Sequence, residues 1–167
     1  MAPGLPDRVD FAQLADDAAV LERDYPLDEM LRLQDVLADA RGSVRARFAF
    51  ANVALGRAGV TVAVEAAPQL VCQRCLESFA FAVAARSEIE FSIGLGAAEV
   101  AAADSQREIY AMDDGRVSLR ELAEEELLLA LPIVPMHAAQ NCGPISQDIQ
   151  DGQSRPFAAL QTLLKKT

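Results

Sequence analysis

Residues 44–51 read VRARFAFA, and this alternation decides the fold class. Val44, Ala46, Phe48 and Phe50 fall on one parity, and Arg45, Arg47, Ala49 and Ala51 on the other. A period of two belongs to a strand with one face buried and one face wet. The pattern recurs downstream. Val60, Val62 and Val64 alternate with Thr61, Ala63 and Glu65, and Gly56 and Gly59 punctuate the turn before them. Phe79, Phe81, Val83, Ala85, Ile89, Phe91 and Ile93 then share a parity, with Arg86, Glu88 and Glu90 on the other. Three such runs joined by short turns predict an antiparallel β-meander of at least three strands with one apolar face.

Helical patterns flank the meander. Residues 7–40 read as helical in part: Pro26 precedes Leu27, Met30, Leu31, Val36 and Leu37 at near-helical spacing, with Asp28 and Glu29 in the first turn. Carboxylates there suit the helix dipole, and Gly42 is a natural stop. After the sheet, residues 94–106 have loop composition, and Arg107 to Met112 fits a short strand. Ser118 with Glu121 has the spacing of a capping box, Leu119, Leu122 and Ala123 begin an apolar face, and Pro132 closes the helix. The class is therefore α+β, with helices before and after the sheet packed on its apolar face. The expected division is a single domain over residues 1–145, a linker over 146–155 and an amphipathic C-terminal segment over 156–167.

Half of the 167 residues are apolar, there is no tryptophan, and the net charge is −10. So acidic a chain lacks the basic footprint of a dedicated nucleic-acid binder, because phosphate affinity comes mainly from Lys and Arg. A basic protein partner suits the field better. The N-terminus has no basic region followed by an apolar run, so no signal peptide is expected. The apolar run Leu127 to Met136 is short and broken by Pro132 and Pro135, so no membrane span is expected. A cytoplasmic location follows. Reduced thiols and an odd cysteine count argue against a disulfide framework.

All three cysteines and the single histidine fall into two short clusters, Cys72-x2-Cys75 and His137-x4-Cys142. Two thiolates in a tight turn can meet one ion, and a second pair can close a tetrahedron. Cys72, Cys75, His137 and Cys142 are thus candidate ligands of a structural Zn²⁺, which would staple a hairpin tip to the loop after the helix. Pro68 marks where regular pairing ends before that tip. The competing reading is of ordinary part-buried thiols beside an exposed histidine. Thiol–disulfide chemistry at Cys72 and Cys75 is a further alternative. It is the weaker one, because a hairpin lacks the helix N-terminus that lowers a reactive thiol's pKa.

Arg74 lies between the two cysteines, where a metal knuckle would fix its direction. It is the first candidate for a contact to RNA or to a protein carboxylate. Arg45 and Arg47, with Arg57 nearby, are further candidates for such contacts. They are equally placed to pair with Glu65, Glu88 or Glu90 across a salt-laced face. Glu124-Glu125-Glu126 reads either as bait for a basic partner or as the wet face of its helix. Phe157, Leu160, Leu163 and Leu164 have helical spacing and would dock on their own domain or on a partner. The sequence holds no G-x-S-x-G, no Gly-rich phosphate loop and no second histidine, so no catalytic set presents itself.

Three motifs in order, VCQRCLESF, EEELLLALPIVPMHAAQNC and RPFAALQTLLKK, resemble the bacterial large ribosomal RNA subunit accumulation proteins, also called the YceD-like family. The resemblance covers nearly the whole chain. Other branches of that family carry more cysteines in the C-terminal cluster, where this chain has His137 and Cys142. The resemblance implies a non-enzymatic role in 23S rRNA accumulation and large-subunit biogenesis. The implied partners are a pre-rRNA or assembly intermediate, or a basic ribosomal protein. The alternatives are a zinc-stapled adaptor working outside the ribosome and the thiol protein above.

Overall fold

A computed structural model describes residues 7–54, 57–93, 109–112, 115–138 and 142. Strands β1 (Arg8–Asp10) and β2 (Val20–Pro26) flank helix α1 (Phe11–Asp16). Then come β3 (Ser43–Ala54), β4 (Arg57–Ala66), β5 (Gln69–Val71), β6 (Ser78–Ala80), β7 (Val83–Ile93), β8 (Ile109–Met112), β9 (Arg116–Ser118) and helix α2 (Leu119–Ala130). The main sheet has the order β2-β3-β4-β7-β8, antiparallel except for the parallel edge pair β7-β8. Two ribbons, β1-β9 and β5-β6, stand apart from it. The α+β class and the antiparallel meander are as the alternation predicts.

The register explains the core. Phe48 faces Val62 and Phe50 faces Val60 across β3-β4, and Val60 faces Ile89 across β4-β7. Every expected apolar position of β3 and β4 is buried. Helix α1 lays Phe11 against Phe50 and Phe91, with ring centroids 5.2 and 4.7 Å away. Helix α2 adds Leu119, Ala123 and Leu127 to the same cluster. Burying a large apolar side chain contributes about 1.5–3 kcal/mol, so this face is the main source of stability.

Four sequence expectations need correction. Residues 20–26 form a strand rather than helix, because exposed Glu22 and Asp24 alternate with part-buried Leu21, Arg23 and Tyr25 in register with β3. Residues 27–37 form a single 3-10 turn followed by further turns, held by Met30 N–H to Leu27 O and Leu33 N–H to Met30 O. Leu27, Met30 and Leu33 recur every three residues, which suits that tighter winding and buries all three. Gly59 belongs to β4 instead of a turn: it faces Ala51, and a Cβ there would lie 2.9 Å from Val53 Cγ2. Finally, the run from Phe79 to Ile93 is two strands. Phe81 donates its N–H to Pro68 O, which turns β6 away from the main sheet.

Helix α2 starts as the capping-box spacing predicts, with the Glu121 N–H donating to Ser118 Oγ at 3.1 Å. Asp7 strengthens that end. Its carboxylate accepts from Ser118 Oγ at 2.5 Å and from the Arg120 N–H at 3.0 Å, placing negative charge at the helix N-terminus. The helix stops at Ala130, and Leu131 before Pro132 is extended (φ −75°, ψ 140°), as proline demands of its predecessor. No helix among the described residues is long and apolar enough to cross a membrane. The expected linker, residues 146–155, and the C-terminal segment, residues 156–167, lie outside the described residues, as do residues 94–106.

Candidate metal centre

The β5-β6 ribbon exists to present one turn. Gln69, Leu70 and Val71 pair with Ala80, Phe79 and Ser78, and the Cys72 N–H donates to Glu77 O at 2.9 Å to close the hairpin. Cys72 and Cys75 sit at its tip. The Leu76 N–H returns to Cys72 O at 2.9 Å, and Leu76 itself adopts φ +64°, a left-handed conformation unfavourable to a side chain. The tip is bound to the loop after α2 through the Gln73 N–H, which donates to Pro135 O at 2.9 Å. That bond brings His137 and Cys142 to the cysteine pair across a large sequence separation.

The four side chains converge. The Sγ atoms of Cys72, Cys75 and Cys142 and a ring nitrogen of His137 all lie within 4.8 Å of one another. Cys72 Sγ lies 3.4 Å from Cys142 Sγ, and Cys75 Sγ lies 3.3 Å from His137 Nδ1. Ligands at the Zn–S distance of about 2.3 Å stand roughly 3.8 Å apart at the corners of a tetrahedron. Those two pairs are a few tenths of an ångström tighter, the whole set falls within 4.8 Å, and it has the number and kind of donors that suit one Zn²⁺. All three cysteines are free thiols, so none is committed to a disulfide. Cys72 and Cys142 are buried, while Cys75 and His137 are half-buried.

The surroundings favour thiolate at Cys72. Burial pushes the Cys72 thiol up, but the backbone N–H groups of Cys75, His137 and Arg74 and the Cys142 thiol outweigh it, bringing Cys72 down to about 5. The Glu77 N–H lowers Cys75, yet burial and the neighbouring sulfurs of Cys142 and Cys72 leave it raised. Arg74 Nε donates to Cys142 Sγ at 2.9 Å, and that bond raises the guanidinium's pKa further. Arg74 therefore turns back onto the cluster while remaining on the exposed surface. The Phe79 ring lies 4.6 Å from that of His137 and orients the imidazole. Sequence parity places Phe79 with the main core. Only the break at Phe81 frees it for this second task.

The other singled-out charges have different fates. Arg45 makes a loose pair with Asp24 (3.6 Å) on β2, a strand the sequence reading does not include, although Glu65 is its register partner on β4. Arg47 stands opposite Glu22 in the same way. Arg57 pairs with Glu90 as the cross-strand reading expects. The acidic triplet is not simply a wet face. Glu124 is buried and accepts from the Arg32 N–H at 2.7 Å, Glu125 pairs with the Arg32 guanidinium, and buried Glu126 accepts from Ser87 Oγ. These carboxylates bind α2 to the turns after β2 and to β7.

A family model described as large ribosomal RNA subunit accumulation protein YceD matches residues 60–164. A Haemophilus influenzae protein of that same name is 34% identical over 109 residues, which cover 58% of this chain and 60% of the relative. The match thus spans somewhat less than two thirds of that relative's length. No solved structure matches the chain.

Proposed function

The chain belongs to the large ribosomal RNA subunit accumulation protein (YceD) family, and on that premise we propose a non-enzymatic factor in large-subunit biogenesis. It supports accumulation of 23S rRNA by binding an assembly intermediate or a basic ribosomal protein in the cytoplasm. The observation that carries this reading is the family match, which takes in the hairpin tip, helix α2 and the loop after it. The site chemistry agrees. A Cys3His set fills all four positions of a tetrahedral ion and leaves none for a substrate or an activated water, which is the pattern of a structural site.

The metal in this reading is Zn²⁺, held by Cys72, Cys75, His137 and Cys142. Bound there, it supplies a cross-link and no chemistry. Three thiolates around a divalent ion leave one negative charge, which the Arg74 guanidinium offsets through Cys142. With Nε committed to sulfur, the outer nitrogens of Arg74 are held in one direction at an exposed position. They are our first choice for a contact to an RNA phosphate or a partner carboxylate. Arg45 and Arg47 rank behind it, because Asp24 and Glu22 stand opposite them.

Affinity capture of the tagged chain from growing cells, with and without RNase, tests this function. We expect large-subunit precursors or a basic ribosomal protein in the bound fraction. We also expect a lowered ratio of large- to small-subunit rRNA when the gene is deleted. A bound fraction free of both, with an unchanged ratio, would falsify the assignment and shift attention to an adaptor or a thiol protein.

A further inference from the structure

Beside the metal centre, a cavity of about 450 Å³ opens between the β5-β6 hairpin, the turns after β2, the end of α2 and the loop that follows. Its walls are largely apolar: Val36, Leu37, Leu70, Leu128, Leu131 and Ile133. Ile133 is 99% exposed and Val36 is 48% exposed. Leu129, Val134 and Met136 on the same helix end and loop are exposed as well. Apolar side chains concentrated around one concavity mark a binding surface rather than scattered surface residues.

We infer that this groove receives the chain's own C-terminal segment, residues 156–167. Three observations choose that occupant. The segment PFAALQTLLKK sets Phe157, Leu160, Leu163 and Leu164 at the spacing of one helix face, and an amphipathic helix in an apolar groove is a recurrent mode of recognition. Its tether begins at the groove. Cys142 belongs to the metal cluster, and Gln73 and Pro135, joined by a 2.9 Å hydrogen bond at that cluster, both line the cavity. Residues 143–155 then span the gap to Pro156, and at about 3.3 Å per extended residue they reach any part of the groove. Charge matches too. Lys165 and Lys166 are the only lysines of an acidic chain, and Asp35, on the groove wall, makes no ion pair among the described residues.

The family match takes in the segment and one side of the groove, though not the wall of Asp35, Val36 and Leu37. It runs from residue 60 to residue 164, so it includes the hairpin, the end of α2, the loop and the four apolar anchors. Tethering raises the local concentration of the segment to the order of millimolar, so a modest intrinsic affinity suffices to keep the groove filled. The inference does not depend on the ribosomal role.

Photo-crosslinking of the full chain tests it. The substitution Ala159→p-benzoylphenylalanine puts the probe beside the four apolar anchors without removing any of them. On irradiation we expect a crosslink within one chain, joining the segment to residues 35–37 or 128–135 by peptide mapping. Adding Ile133→Asp and Val36→Asp, both exposed positions, should cut the yield at least fivefold while the circular dichroism spectrum stays the same. Crosslinks that map elsewhere on the chain, crosslinks only between two copies, or no crosslink at all would each overturn the inference.

Discussion

If the Cys3His centre holds Zn²⁺ as proposed, removing the metal should release the hairpin and leave the main sheet standing. The buried cluster of the main core includes Phe11, Phe48, Val62 and Leu127, but not Leu70, Cys72 or Cys142. The β5-β6 ribbon therefore holds on by other means. Leu70 is buried, which contributes about 1.5–3 kcal/mol. Ala38 N–H to Gln69 O and Gln73 N–H to Pro135 O add roughly 0.5–1.5 kcal/mol each. Ordering the backbone from Gln69 to Phe81 costs about 1 kcal/mol per residue or more, which matches or exceeds those gains even with the ribbon's own hydrogen bonds at roughly 0.5–1.5 kcal/mol each. A structural zinc site supplies about 10–16 kcal/mol, enough to reverse the sign. The prediction is that chelation, or Cys75→Ser, abolishes amide-exchange protection across residues 69–81. Peptides from β3, β4 and β7 should keep theirs. Hydrogen-exchange mass spectrometry of metal-loaded and chelated protein reads both regions at once. Two results would refute the reasoning. If residues 69–81 stay protected after the metal is gone, the site contributes no stability. If protection falls everywhere together, the ribbon and the sheet are one cooperative unit.

Other outcomes follow from single contacts. Glu124→Ala strands the Arg32 N–H and should cost about 1–3 kcal/mol in urea unfolding, whereas Glu125→Ala breaks only a half-exposed ion pair and should cost under about 1 kcal/mol. Equal losses would show that burial is not what separates the two carboxylates. Leu76→Gly relieves a left-handed side chain and should stabilise the metal-loaded tip by roughly 1 kcal/mol, seen as a higher chelator concentration at half release. Ser118→Ala removes the α2 cap and should cost about 0.5–2 kcal/mol, measured by thermal or urea unfolding. Phe11→Ala removes the ring between Phe50 and Phe91 and should cost about 3–5 kcal/mol by the same assay.

Much of the fold was legible because one face of the sheet is buried. The parity of Val44 to Phe50 and of Val60 to Val64 states which side chains point inward, and a one-residue slip would expose them all. The cap at Ser118 and the stop before Pro132 were legible for the same local reason: each is set by residues within one turn. Strand β2 was not. Its polar parity of Glu22 and Asp24 is half-hidden among helix-compatible residues, and only pairing with β3 makes Val20–Pro26 extended. The burial of Glu124 and Glu126 was not legible, because Arg32 and Ser87, which donate to them, lie far away in sequence.

The sequence by itself determined the period of the strands, the ends of helix α2 and the four candidate ligands in two clusters. Those properties depend on neighbours along the chain. The tertiary structure decided that Cys72 meets Cys142, that Arg74 turns onto the cluster and that Phe79 leaves the core for His137. Each of these needs two distant segments held a few ångströms apart, and spacing along a chain does not fix a distance through space.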